Sequence, residues 1–435
     1  MTSVTKLRES ADARLKPETK TVETPADKAS EVLVSESQKT PSFPKKLIHM
    51  KFKKLGYLET FLTIIIIGGI STILYLYTSG YRLNKDDKGI IDINKTGMLS
   101  VKSLPDGAGV YLDGTLRTAT NDTISGVRPG EHQLRIVKKG FVEWNKNLEV
   151  FEQLVTDITA ILVSQSPRLE PLTNSGAKYP SISPTLSKLA YFSFDSEKPG
   201  IWIVPLSGGG IGLFRSNPTV AIQDTIYTKY SLGEQIIWAP DEKSLLIKTP
   251  GNAYHLVNIE TSTAQTTTKA DTIIKQWADD VALKRATFVN TQSISQEVKD
   301  IALSSDAVWS PDEKKFLFIK TVGSELEYWV YNLENPIPIG EKAESLVFKT
   351  DASATQPKIS WYSDSFHLIL VEGDIAKDQK GSVSTIRIDG SNKTEIYNNT
   401  LYSDSVFSAP GGDKLIILTS FKSGAQTDLY TVSIR

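Results

Sequence analysis

The stretch LGYLETFLTIIIIGGISTILYLYT, Leu55 to Thr78, constrains this chain more than any other. Between Phe61 and Tyr77 it carries no charge. At a rise of about 1.5 Å per residue, a helix of this length covers a hydrocarbon core of about 30 Å. Four consecutive isoleucines, Ile64 to Ile67, are poor helix formers in water. In lipid, however, the backbone must satisfy itself and helix is the available solution. Tyr57 at one end and Tyr75, Tyr77 and Tyr81 at the other fit an interfacial aromatic belt. Residues 55–78 are therefore expected to be a transmembrane helix.

Charge sets the expected orientation. Lys45, Lys46, Lys51, Lys53 and Lys54 precede the span, with no acid between Pro41 and Lys54. Downstream, Arg82, Lys85 and Lys88 are diluted by Asp86 and Asp87. This bias places the N-terminus in the cytoplasm and the long C-terminal part outside. Tyr77-Thr78-Ser79-Gly80 is a poor cleavage site, so the reading is an uncleaved single-pass signal anchor in the cell membrane. Residues 1–44 are rich in Lys, Glu, Ser, Thr and Pro; such a segment cannot offset its ordering entropy and is expected to be a disordered cytoplasmic tail. Residues 45–54 form the basic juxtamembrane segment and 79–96 a polar linker.

Composition excludes several chemistries. Cysteine is absent, so disulfides, thiol nucleophiles and Cys-ligated metals are impossible. The four histidines, His49, His132, His255 and His367, are scattered without ligand spacing. A net charge of −1 gives no global case for nucleic acid.

From residue 97 the pattern turns to strands and turns. Val101, Val110 and Leu112 occupy strand positions around Pro105-Asp106-Gly107, and Asp113-Gly114 signals a hairpin. Leu134, Ile136 and Phe141 alternate with polar residues. In a last strand, Ile158, Ala160 and Leu162 share one face, and Thr159, Ile161 and Val163 the other. Gly107, Gly114, Gly130 and Gly140 are expected to supply positive φ at turns. SLPDGAGVYLDG (Ser103–Gly114), VRPGEHQLRIVKKGF (Val127–Phe141) and Trp144 resemble the PEGA domain family. The resemblance covers 97–164 and implies a small extracytoplasmic β-sandwich that acts as a binding or spacer module, without catalytic residues.

Residues 165–435 repeat. Trp238-Ala-Pro-Asp-Glu-Lys and Trp309-Ser-Pro-Asp-Glu-Lys, each followed by an apolar strand, are the clearest copies. Looser copies begin at Ile182, Trp361 and Phe407. In the two clearest copies Pro fixes φ at a tight turn where Asp can accept backbone N–H groups, and the looser copies carry Pro184, Ser363 and Pro410 at the proline position. Such a unit cannot bury its face alone, and radial stacking is the propeller solution. The repeat resembles TolB-type β-propellers and the propeller domains of prolyl-oligopeptidase-like enzymes. Five units are evident. The long interval Thr261–Asp306 holds either a degenerate sixth blade or a helical insertion, for which TIIKQWADDVALKRA (Thr272–Ala286) is suited; six blades is the expected number.

The fold class expected is thus mainly β: disordered tail, one transmembrane helix, PEGA-like sandwich and six-bladed propeller. No Gly-x-Ser-x-Gly elbow is present, and Gly208–Gly212 lacks the Lys-Ser/Thr of a phosphate loop. Asp241-Glu242 and Asp312-Glu313 are read as solvated turn carboxylates, and Trp202, Trp238, Trp309, Trp329 and Trp361 as blade packing, the alternative being that one or two line a central opening. No catalytic, cofactor or metal residue is assigned, and the binding residues are left open. The expected function is a non-catalytic binding scaffold for an envelope polymer, carbohydrate included, or a protein partner; the alternative is a cell-envelope hydrolase with carboxylates at the propeller opening.

Overall fold

The computed structural model describes residues 52–85, 91–206, 217–421 and 426–435. The expected tail, the lysines before Phe52, Asp86-Asp87 and Gly208–Gly212 lie outside them. Helix α1 spans Phe52–Thr78. Its stretch Tyr57–Thr78 is long and apolar enough to cross a membrane, and none of it is buried by protein. Ile64, Ile67, Ile70, Ile73 and Leu74 are all exposed, as lipid-facing side chains would be.

The expected linker is corrected in part. Tyr81–Lys85 and Ile91–Lys95 pair antiparallel, with Tyr81 opposite Lys95 and the ammonium 5.8 Å from the ring centroid. The alternation Tyr-Arg-Leu-Asn and Ile-Asp-Ile-Asn is a two-strand pattern that polarity alone obscured.

Residues 97–163 form two small sheets. Gly97–Leu104 runs between Asp122–Val127 and Val155–Ile161, and is parallel to the latter. The second sheet is ordered Thr115–Ala119, Gly109–Leu112, Gly130–Val137, Trp144–Val150. Leu99, Val101, Val110, Leu134, Ile136 and Trp144 form the core between them. The four turn glycines all adopt positive φ, from 70° at Gly107 to 123° at Gly130.

The C-terminal domain consists of four-stranded antiparallel sheets, each beginning with one copy of the repeat. Blade I holds Lys178–Ile182, Lys188–Ser193, Gly200–Pro205 and Thr219–Gln223. Blade II holds Gln235–Trp238, Ser244–Thr249, Ala253–Asn258 and Thr263–Thr267. Blade III runs through Val308–Trp309, Lys315–Val322, Glu325–Asn332 and Glu344–Asp351. Blade IV runs through Lys358–Trp361, His367–Glu372, Lys380–Arg387 and Thr394–Thr400. Blade V takes Phe407–Ser408, Lys414–Thr419 and Asp428–Ser433, and is completed by Leu169–Pro171 from the domain's start. Pairing the first strand with the last closes the domain.

Among the described residues there are five such sheets, not the expected six. The long interval is helical: α2, Ala270–Thr291, and α3, Gln296–Ala302. Ile273, Trp277, Val281, Arg285 and Val289 recur every four residues and are the half-buried or buried stripe of α2. That period is helical, and it is why this stretch makes no blade. Blades I and II share one apolar cluster, III and IV another, IV and V a third, V and I a fourth. The remaining face of blade III packs Trp309, Phe316 and Phe318 against Val289 and Ala302 of the two helices. The helical pair thus covers the face of blade III that a sixth blade would cover.

Three tryptophans report the same substitution. Trp238 Nε1 donates to Ser181 O of the preceding blade at 3.0 Å, and Trp361 Nε1 to Val308 O at 2.8 Å. Trp309, whose predecessor is helical, donates instead to Ala302 O of α3 at 2.9 Å. These tryptophans are packing residues, with their indole N–H groups committed to a neighbour. Trp309→Phe keeps an aromatic ring but removes the indole N–H and leaves the Ala302 carbonyl without it, so it is expected to cost about 1–3 kcal/mol in denaturant unfolding. Trp202→Phe, which breaks an exposed bond to Lys198 O, should cost less in the same measurement.

Candidate functional site

The five repeat turns gather at one end of the blades, here the turn face. Each places its fourth residue in the left-handed region: Leu186, Glu242, Glu313, Ser365 and Gly412 have φ between 53° and 60°. Each closes with the same backbone bonds, as in Glu313 N to Ser310 O and Ser310 N to Lys315 O, both 2.9 Å. The Asp carboxylates accept backbone N–H groups as expected, Asp241 from Lys243 at 2.9 Å and Asp312 from Lys314 at 3.0 Å.

Glu242 departs from the solvated-turn expectation. It is buried and reaches the turn of blade I, accepting from Thr185 N at 2.6 Å and from the Ser187 hydroxyl at 3.0 Å. Burial alone would raise its carboxyl; the Thr185, Ser183 and Ser187 hydrogen bonds outweigh that and hold it below the ordinary glutamate value. Asp312 pairs with Lys315 at 3.0 Å, and Glu313 with Lys284 of α2 at 2.5 Å. These carboxylates tie neighbouring elements together.

The sandwich docks on the turn face through buried charge. Lys146 Nζ, from the strand Trp144–Val150, lies 2.9 Å from Asp389 Oδ2 and 3.3 Å from Glu341 Oε1. Arg387 pairs with the same two carboxylates. Asp389 is pulled down from the usual carboxylate value: burial opposes this, and the Arg387 and Lys146 charges overcome it. Beside the cluster, Asn392 bonds both ways with the Asn145 backbone, at 2.9 Å each. Val163, on the second face of the last sandwich strand, packs among apolar residues of blades IV and V. A small cleft remains here, lined by Val163, Tyr362, His367 and Thr385.

The opposite end, the loop face, carries the links between second and third strands and those between blades. The connection from blade I to blade II leaves Ile226 91% and Tyr227 96% exposed. Tyr179, Phe194, Leu232 and Phe421 are exposed on the same end. Lys178 Nζ sits 4.7 Å from the Phe194 centroid. Sequence reading missed this surface. Ile226 and Tyr227 look like strand residues, and their isolation depends on where Thr219–Gln223 ends.

Among the described residues, no group of three or more His, Asp or Glu is placed to hold a metal ion. His132 and His367 pair with Asp113 and Asp364 at 2.6 Å, and His255 contacts Thr249 and Thr266.

The PEGA domain model matches residues 96–165, so the sandwich is a PEGA domain. The chain thus holds a PEGA domain at 96–165, a β-propeller, and one apolar helix suited to a membrane anchor. No curated protein sequence matches it. Similar solved structures include TolB from Acinetobacter baumannii, at 15% identity and TM-score 0.24, covering 70% of this chain and 60% of that one. A protein described as TolB from Agrobacterium tumefaciens shares 14% identity at TM-score 0.25, over 62% of this chain and 86% of its own. Oligogalacturonate lyase from Vibrio parahaemolyticus shares 9% at TM-score 0.29, over 70% and 86%. At these scores the likeness adds nothing to the sheet topology.

Proposed function

We propose that this chain is a membrane-anchored, non-catalytic binding scaffold whose propeller loop face receives an envelope polymer or protein partner. One observation carries the reading. The PEGA domain occupies the turn face through a buried cluster of two cations and two carboxylates, while the loop face keeps several large apolar side chains in water. The lysines at 45–54 favour a cytoplasmic N-terminus, with both folded domains outside. The commitment of the turn carboxylates to structural partners favours binding over hydrolysis.

The test uses the full chain in detergent, immobilised and challenged separately with envelope polymers and solubilised membrane proteins. Saturable retention that loop-face substitutions abolish and turn-face substitutions spare is expected. Polymer that is shortened rather than retained would sink the scaffold reading in favour of the hydrolase.

A further inference from the structure

We propose that the hairpin Phe151–Leu154, with its neighbours Met98 and Val155, is a second membrane contact: an apolar seat on which the PEGA domain rests against the bilayer beside the end of α1. This goes beyond the scaffold reading. It rests on the membrane anchor and is independent of what the propeller binds.

A single residue, Thr96, ties the end of α1 to the hairpin. Gly80, with φ of 83°, turns the chain out of the helix. The two-stranded ribbon leaves at Tyr81 and returns at Lys95, so it puts no length between helix and sandwich. The buried Thr96 donates its N–H and its hydroxyl to Gly80 O, at 3.0 and 2.8 Å, and its carbonyl accepts from Gln153 N at 3.0 Å. Met98 N donates to Leu154 O at 3.0 Å. Between them Gly97 presses the incoming strand onto the hairpin: a Cβ there would lie 2.3 Å from Phe151 O. A bilayer spanned by α1 therefore has its surface at this hairpin.

The side chains suit that level. Phe151, Leu154, Val155 and Met98 are between 37% and 45% exposed, although a turn needs none of them. Met98 opposes Val155 on the outer face of its sheet, and the next rows of that face are Ser100 opposite Asp157 and Lys102 opposite Thr159. The face thus turns polar about 7 Å from the helix end. An apolar pair returns only at Leu104 and Ile161, at the far end, where Ile161 packs against the propeller. Charge does not select the lipid. Among the described side chains at this end, Lys95, Arg128 and Lys342 are offset by Glu131, Glu149, Glu152 and Asp157. The contact is apolar, and Glu152 at the tip keeps it shallow, at headgroup depth. Because α1 already holds the hairpin at the surface, insertion is intramolecular and a few side chains suffice. The seat fixes the propeller too. The strand ending at Val150 carries Lys146 of the inter-domain cluster, and a Cβ on Gly340 would lie 2.9 Å from the Thr156 methyl.

The chain has no cysteine, so one introduced cysteine carries the only nitroxide label. The full chain in phosphatidylcholine vesicles is labelled at Phe151→Cys or Leu154→Cys, at Thr159→Cys on the same face as control, and at Ile70→Cys in α1 as lipid standard. Power saturation reads collisions with oxygen, which concentrates in lipid, and with a water-soluble nickel chelate on both sides of the membrane. The oxygen-to-nickel ratio at 151 and 154 should exceed that at 159 by about fivefold or more. Phosphatidylglycerol or added salt should leave it unchanged. Met98→Glu with Val155→Glu should lower the ratio at 154 to that at 159, whereas Met98→Leu with Val155→Leu should keep it. Unchanged melting of the Glu variant excludes misfolding as the cause. A 154 label as open to nickel as 159 overturns the seat. A 154 label closed to both reagents means that protein covers the hairpin, and overturns it too. A contrast that appears only with phosphatidylglycerol replaces apolar insertion by charge and does the same. Any of these with loop-face retention intact leaves the scaffold standing; a label at 70 open to nickel overturns the anchor together with the seat.

Discussion

Arg387→Leu is expected to destabilise the folded domains by about 3–5 kcal/mol, read as a lower denaturant midpoint. The guanidinium is buried between Glu341 and Asp389. Removing it leaves two carboxylates with Lys146 as their remaining cation in the cluster. Desolvation then goes uncompensated, which is the costly way to break a buried ion pair. Lys146→Met removes the cation contributed by the PEGA domain, so it should in addition loosen that domain, read as faster hydrogen exchange along Trp144–Val150. The same cluster sets an acid response. Asp389 has a folded value below its unfolded one, so its contribution is present above the unfolded value and is lost as pH falls through the folded value. Asp389→Asn should therefore flatten the decline of stability in acid. An unchanged acid slope would show that the carboxylate is not the titrating group.

Lys315→Ala is the second large effect, again about 3–5 kcal/mol. Lys315 follows the Trp309-Ser-Pro-Asp-Glu-Lys stretch, accepts the closing bond of its turn from Ser310 N, and is fully buried. It is held by Asp312 at 3.0 Å, Glu334 at 3.1 Å and the Phe366 ring, whose centroid is 4.2 Å away. The Phe366 contact belongs to the next blade, so truncation costs an inter-blade contact as well as an ion pair. Lys414, its counterpart in blade V, is partly exposed and pairs with exposed Glu170. Lys414→Ala should cost at most about 1 kcal/mol in the same unfolding experiment. Equal losses would refute the burial argument.

That contrast shows how far the repeat can be read. The Pro-Asp turn, its backbone closure and its two flanking strands are local, and short-range sterics and hydrogen bonding write them into consecutive residues. The left-handed fourth residue recurs even where the sequence is Thr-Leu or Asp-Ser, because the closure demands it. Whether the lysine is buried or solvated depends on what the next blade brings over it. In blade IV the position is His367, paired with Asp364 at 2.6 Å. There the Asp364 carboxyl stays below its usual value: burial pushes up, and the His367 charge and the backbone N–H groups pull down.

By itself the sequence determined the apolar helix, the PEGA sandwich with its glycine turns, and the repeating strand-turn-strand unit. The helix and the repeat unit follow from local apolar runs and turn signals, whereas the PEGA reading rests on a resemblance that spans residues 97–164. Only the tertiary structure decided the number of blades, because the helical period of α2 is visible locally but its packing on blade III is not. It also decided why the last sandwich strand is apolar on both faces: Ile158 and Leu162 face the PEGA core, while Val163 faces the propeller. The exposed Ile226–Tyr227 pair belongs to the same class. Exposure of Ile226 and Tyr227 is set by where neighbouring elements stop, and residues distant in the chain set those stops.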